Sequence, residues 1–191
     1  MSKPTKDRLD KIERVAAKRT RNLTIVLEEI YDVGNINACI RSAEAMGILD
    51  VHIIEAENTF YKKGKRTSSG AAKWLNVRKW DSIEECLSSL REQGFQIVAT
   101  TLIDKSIEIG EIDFSCKTAL IFGNESQGVS STAVDFSDRT AFIPMHGFVE
   151  SYNISVACAL SLYTAMLQRG KNHHDQTSEQ ISELVSDYLK R

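Results

Sequence analysis

No apolar run in the 191 residues approaches the ~20 needed for a membrane-spanning helix. The opening residues, Met-Ser-Lys-Pro-Thr-Lys-Asp-Arg, carry charge where a secretory signal would have its apolar centre, so a cytoplasmic location is expected. Cysteine is sparse and scattered: Cys39, Cys86, Cys116 and Cys158 form no Cys-x-x-Cys pair, and buried thiols are the plain reading. His173 and His174 are adjacent, and neighbours on a helix or strand do not share a face, so no metal site is expected. There is no internal repeat and no low-complexity block. The glycine-bearing turn over 123–128 lacks the Gly-Lys-Ser/Thr ending of a phosphate loop, which argues against nucleotide triphosphate hydrolysis. What remains is ordinary globular material, 42% hydrophobic and 26% charged, in a length suited to one domain.

Charge is segregated more than it is unbalanced. The net charge is −2, yet residues 1–22 carry eight Lys/Arg against three Asp/Glu. Residues 60–80 carry seven more cations (Lys62, Lys63, Lys65, Arg66, Lys73, Arg78 and Lys79) and no acid. Clustered cations beside an acidic body suit a polyanion, because phosphate neutralisation depends on local charge. A solvated surface and a loose arm is the plainer alternative. The candidate RNA contacts are Arg14, Lys18 and Arg19 in the arm and Lys62, Lys63, Lys65 and Arg66 beyond it.

Along the chain, Leu9, Ile12, Val15 and Ala16 recur at helical spacing, predicting a basic amphipathic helix within 5–20. Short apolar runs then alternate with helical patterns. Strands are expected over 23–27, 51–54, 75–80, 96–102, 118–122 and 140–143, and helices over 35–46, 82–92, 153–169 and 176–190, with a basic loop at 57–73. The division expected is an arm at 1–22, a body at 23–170 and a tail at 171–191. This alternation implies an α/β fold, a mostly parallel sheet flanked by helices. Ligands in such sheets sit at the carboxyl ends of strands, which directs attention to the loops after residues 27, 122 and 143.

Each of those loops is chemically distinctive. The first leads into Asn35-Ile-Asn-Ala-Cys-Ile-Arg41, in which Asn35 is a candidate N-cap and Arg41 stands near Asn37; a helix start with an arginine close by attracts phosphate. The second, Gly123-Asn-Glu125-Ser-Gln-Gly128, sets an acid between two glycines directly after a buried strand. The third runs from Ile143-Pro-Met145-His-Gly147 to Ser151-Tyr-Asn153-Ile-Ser155. Ser151 could cap the following helix, whose first turns are thin with Ser155, Ala157, Cys158 and Ala159. Taken singly, each could be structural: a capped helix, a polar turn, a close-packing helix.

Together they resemble the three signature motifs of the SpoU–TrmH family of RNA 2′-O-ribose methyltransferases, in the family's order and over residues 20–170. Asn35 and Arg41 match the first motif, and Gly123, Glu125 and Gly128 the second. Ile143, Pro144, Met145, Ser151, Asn153 and Ser155 match the third. The resemblance implies a parallel α/β fold with a C-terminal trefoil knot, which sequence physics would not suggest because threaded chains are very rare. It also implies a homodimer and S-adenosylmethionine as methyl donor, held by Thr100, Gly123, Ile143, Met145, Tyr152 and Asn153. Arg41, Asn35, Glu125, Ser151 and Asn153 would be the catalytic set. The family proposal makes Arg41 the base; a guanidinium stays protonated, so the alternative is a phosphate clamp that steadies negative charge on the ribose oxygen. The basic N-terminal helix and the Ser69-Gly-Ala-Ala-Lys-Trp74 stretch are similar to the branch acting on a transfer RNA D-loop guanosine. Ribosomal RNA is the runner-up substrate, and a non-catalytic RNA-binding protein the alternative from another class. Only about twenty residues precede the first expected strand, which favours transfer RNA.

Overall fold

A computed structural model describes residues 4–55, 70–170 and 175–191. Seven strands form one sheet: β1 (Leu23–Glu28), β2 (Asp50–Ile54), β3 (Asn76–Trp80), β4 (Gln96–Thr100), β5 (Ile107–Glu108), β6 (Thr118–Phe122) and β7 (Arg139–Phe142). Their order is β3-β2-β1-β6-β4-β7-β5, and every pairing is parallel. The first three strands step outward from the centre. The later ones do not: β6 fills the gap between β1 and β4, and β7 the gap between β4 and β5.

Among the described residues, six α-helices accompany the sheet: α1 (Lys6–Ala16), α2 (Val33–Ala45), α3 (Ile83–Glu92), α4 (Ser131–Phe136), α5 (Ile154–Arg169) and α6 (Ser178–Lys190). The central strands β1 and β6 are buried along their whole length, as their mostly apolar runs require of a sheet covered on both faces. On one face Ile25, Leu27, Leu120 and Phe122 pack with Ile36, Ile40, Cys158 and Leu162 of α2 and α5. On the other, Val26, Ala99 and Ile121 meet Cys86, Leu87 and Leu90 of α3 and Ala133 of α4. A third cluster is built by the two ends of the chain: Ile12 and Ala16 of α1 pack with Leu184 and Tyr188 of α6 and with Leu49.

Several expected boundaries move for identifiable reasons. The N-cap of α2 is Asp32, whose carboxylate accepts from Gly34 N–H at 2.7 Å; Asn35 therefore lies inside the first turn instead of capping it. The N-cap of α5 is Asn153, whose Oδ1 accepts from Ser155 N–H at 2.9 Å, and Ser151 stays outside the helix. Gly47 ends α2 at φ +80, and any β-carbon there would lie 2.6 Å from the Lys18 carbonyl, so only glycine fits. The strands expected to reach residues 102 and 143 stop at Thr100 and Phe142. The end of the expected basic loop, residues 71–73, joins Trp74 in a 3₁₀ turn. Lys62, Lys63, Lys65, Arg66, Ser69, His173 and His174 lie outside the described residues. Among those described, all four cysteines are free thiols, no group of His, Cys, Asp and Glu could hold a metal ion, and no helix is long and apolar enough to cross a membrane.

Candidate active site

The parallel sheet directs the chain's loops to one edge. β1, β6, β4 and β7 are consecutive neighbours, so the segments leaving them after Glu28, Phe122, Thr100 and Phe142 emerge side by side. Three of the candidate catalytic residues meet there. Asn35 Nδ2 donates to Glu125 Oε1 at 2.5 Å, and Asn153 Nδ2 donates to Asn35 Oδ1 at 3.1 Å. Asn153 Oδ1 in turn accepts from the Ser155 hydroxyl at 2.6 Å as well as from its backbone. One polar chain thus ties the start of α2, the loop after β6 and the start of α5. Asn35 has both ends of its amide committed, so its orientation is fixed. Ser151 is exposed and outside this chain of bonds.

Glu125 is presented by a loop that closes tightly on itself. Asn124 is buried; its Oδ1 accepts from Ser126 and Gln127 N–H, and its carbonyl from Gly128 N–H. A β-carbon on Gly123 would sit 2.0 Å from the Gly128 carbonyl, so glycine is required at the base of the loop. Its far side is held by a residue that motif reading passed over. Glu28, at the end of β1 and 4% exposed, accepts from Ser130 N–H at 3.0 Å and Ser130 Oγ at 2.6 Å, while Ser130 caps α4. Burial pushes the Glu28 carboxyl above its usual 4.5, against the lowering effect of the two Ser130 bonds. The next residue, Glu29, has φ 51, left-handed backbone without glycine, at the turn out of β1. An acid closing the mostly apolar run Leu23–Leu27 was the available signal.

The expected donor-binding residues line the same edge. The Thr100 hydroxyl donates to the Ile121 carbonyl at 2.7 Å and locks β4 to β6. Ile143 and Met145 are half-buried, and the Tyr152 hydroxyl donates to the Pro144 carbonyl at 3.2 Å, folding the 144–152 loop back on itself. That is the only hydrogen bond to the backbone of 144–151 among the described residues, so its remaining N–H and C=O groups are open to a ligand. Leu102, Ile103, Phe148, Val149 and Tyr152 leave apolar surface uncovered beside them. Open main-chain donors and acceptors next to apolar side chains suit a purine ring joined to a sulfonium.

Arg41 is not part of this bonded group. It follows Asn35 by six residues, ~9 Å along α2 and about 120° round it. It lines a cavity of about 1160 Å³ between α1, α2, α5 and α6, with Arg8, Lys11, Lys18, Lys73 and Arg191 also on its walls. Among the described residues, Glu44 is the sole acid there. Of the expected RNA contacts, Lys18 faces this cavity, whereas Arg14 is exposed and outside its lining. Arg19 is turned inward. At 1% exposure its guanidinium donates to Glu44 Oε1 at 2.7 Å and to the carbonyls of Glu44 and Ile48, so it joins the arm to α2 instead of offering a free charge.

A family model described as the SpoU rRNA Methylase family matches residues 22–163. The chain is 36% identical, over 90% of its length and 78% of the relative's, to a tRNA (guanosine(18)-2′-O)-methyltransferase of Borreliella burgdorferi. It superposes on the crystal structure of the A. aeolicus TrmH/SpoU tRNA modifying enzyme with a TM-score of 0.88 at 32% identity, covering 96% of both chains. The SpoU methyltransferase AviRb from Streptomyces viridochromogenes, solved in complex with the cofactor AdoMet, gives a TM-score of 0.70 at 26% identity over 88% of this chain and 66% of that one.

Proposed function

The chain belongs to the SpoU methylase family, and from that premise we propose that it transfers methyl from S-adenosylmethionine to the ribose 2′-oxygen of a transfer RNA guanosine in the D-loop. The observation that carries the reading is the Glu125–Asn35–Asn153 chain of hydrogen bonds. It unites the three signature segments beside the open backbone of 144–151. The family description names ribosomal RNA, but the relative matched over nine-tenths of this chain is named for guanosine 18 of tRNA. The reading also puts the protein in the cytoplasm, where transfer RNA is.

Bound S-adenosylmethionine supplies an electrophilic methyl, and Thr100, Gly123, Ile143, Met145, Tyr152 and Asn153 are the residues that would hold it. The chain's own residues must then make a ribose hydroxyl a competent, aligned nucleophile. Glu125 and Asn153 fix Asn35, which orients the ribose. Arg41, permanently cationic, pins the neighbouring phosphate and stabilises negative charge building on the 2′-oxygen. Ser151 lies close in sequence to Asn153 and would contact substrate instead of capping the helix. Lys18 and Arg14 of the arm, with Lys62, Lys63, Lys65 and Arg66, would engage the RNA backbone.

The active form in this reading is a homodimer. Val156, Leu160, Tyr163 and Leu167 form an exposed apolar stripe along α5, and Tyr163 shares the basic cavity wall with Arg41. A second copy seated on that stripe would lie against Arg41, supporting a site whose arginine and donor loops come from different protomers. The insertion of β6 and β7 between earlier strands supports threading of the C-terminal part as a knot.

The test is incubation of the protein with unmodified tRNA and methyl-labelled donor, then mapping of 2′-O-methyl nucleosides, with a ribosomal RNA arm in parallel. Label on a D-loop ribose is expected. Label on a base, or on ribosomal RNA alone, refutes the substrate assignment.

A further inference from the structure

At the opposite edge of the sheet, where strands begin, a second cavity of about 120 Å³ opens on the α3 face. Its walls include Arg21, ahead of β1, Lys117, ahead of β6, and Asp50, His52 and Arg78 of β2 and β3. His52 is 2% exposed and its Nδ1 accepts from the Trp80 indole N–H at 2.9 Å. A ring nitrogen that accepts has its lone pair free, so in the neutral ring the hydrogen sits on Nε2. Burial holds His52 down at about 4, which keeps the ring neutral at pH 7. The Nε2–H has no acceptor among the described residues, on a side chain that is almost wholly buried and forms part of the cavity wall. The Nε2 atom is not sealed from solvent, so its N–H is a donor available at the cavity wall.

The charge around it says which kind. Asp50, the one acid among the described residues of the wall, is already engaged: one oxygen pairs with Arg21 at 3.3 Å and the other accepts from Asn76 Nδ2 at 3.0 Å. Lys117 donates to the Gln93 carbonyl at 3.3 Å, leaving further donors on its ammonium. Arg78 is exposed and makes no hydrogen bond or ion pair among the described residues. Beyond the Arg21–Asp50 pair, two cations and a neutral N–H donor line a volume of about four waters at ~30 Å³ each, room for one tetrahedral oxyanion.

We propose that this cavity is a phosphoryl-binding site, with His52 Nε2–H and the Arg78 guanidinium donating to the anion's oxygens. It is separated from the methyl-transfer loops by the length of the strands and does not depend on the assignment made for them. The same chemistry fits a free phosphate or phosphomonoester and a phosphodiester of bound RNA.

The Trp80 indole proton, bonded to the other nitrogen of the same ring, is a direct reporter. Its NMR resonance, assigned with Trp74→Phe, is followed in the full-length protein as inorganic phosphate replaces chloride at constant ionic strength. A saturable shift in the millimolar range is expected, weakened roughly tenfold in Arg78→Gln, which alters only an exposed side chain. Transfer RNA is then added to the phosphate-loaded protein. Displacement of phosphate identifies the ligand as the RNA backbone, and simultaneous occupancy identifies a free phosphorylated small molecule; both uphold the site. A shift that fails to saturate, that chloride reproduces, or that Arg78→Gln leaves unchanged overturns it.

Discussion

The two ends of the Asn35–Arg41 segment face different worlds. At its start, Asn35 is held by hydrogen bonds to Glu125 and Asn153, in a neighbourhood of amides, hydroxyls and one carboxylate. At its finish, Arg41 lines a cavity whose other charged groups are nearly all cationic. The first region orients, because each polar atom is fixed by another. The second attracts, because the charged groups on its described wall are cationic except for Glu44. One helix joins them, so a substrate drawn in by charge is delivered to a group already set in place.

Breaking the arginine end should have the largest effect. Arg41→Ala is expected to lower methyl transfer about 10³-fold with donor affinity nearly unchanged, by single-turnover assay and calorimetry. A parallel fall in donor affinity would move Arg41 into the donor pocket and erase the comparison. Arg19→Met should act on folding, costing roughly 3 kcal/mol in urea denaturation because it strands Glu44 beside the cavity, while RNA affinity per folded molecule changes little. Asn35→Ala should slow turnover about 30-fold without unfolding the protein, the loss expected when one positioned donor and acceptor are removed. Lys18→Glu should weaken tRNA binding about tenfold at low salt and lower the salt slope by roughly one.

The smallest effect expected comes from Glu28. A carboxyl raised by burial binds its proton more tightly folded than unfolded, so its stabilising contribution is complete below about 4.5 and disappears as pH rises through the folded value. Glu28→Gln should remove that slope, seen by comparing denaturation of both proteins across pH. RNA affinity should be indifferent, since Glu28 is buried and outside the lining of the basic cavity.

The elements carried by long periodic or wholly apolar runs were readable from the residues: β1, β6, α2 and α5 lie within two residues of expectation. Caps were not, since Asp32 and Asn153 compete with nearby Asn35 and Ser151, and which side chain reaches the first free N–H depends on the loop's entry angle. The six-residue α4 and two-residue β5 are too short to show a period. In the site, motif spacing indicated Asn35, Glu125 and Asn153, but not the bonds among them, which join residues 90 and 118 positions apart. Arg19 reads in sequence as one more cation of the arm. Only the packing of α1 on α6 and the bonds from Arg19 to Glu44 and Ile48 reveal its inward turn.

The strand order has a consequence for how the protein comes into being. β1 pairs with β6 across more than ninety residues of chain, so until residues 118–122 are synthesised the rising polypeptide has an unpaired, mostly apolar edge on β1 and another on β4. Parallel pairing at such separation is slow and exposes strand edges to neighbouring chains. Production of this protein should therefore be limited by aggregation during translation more than by the stability of the finished sheet. A chain released before residue 118 should collect as insoluble material.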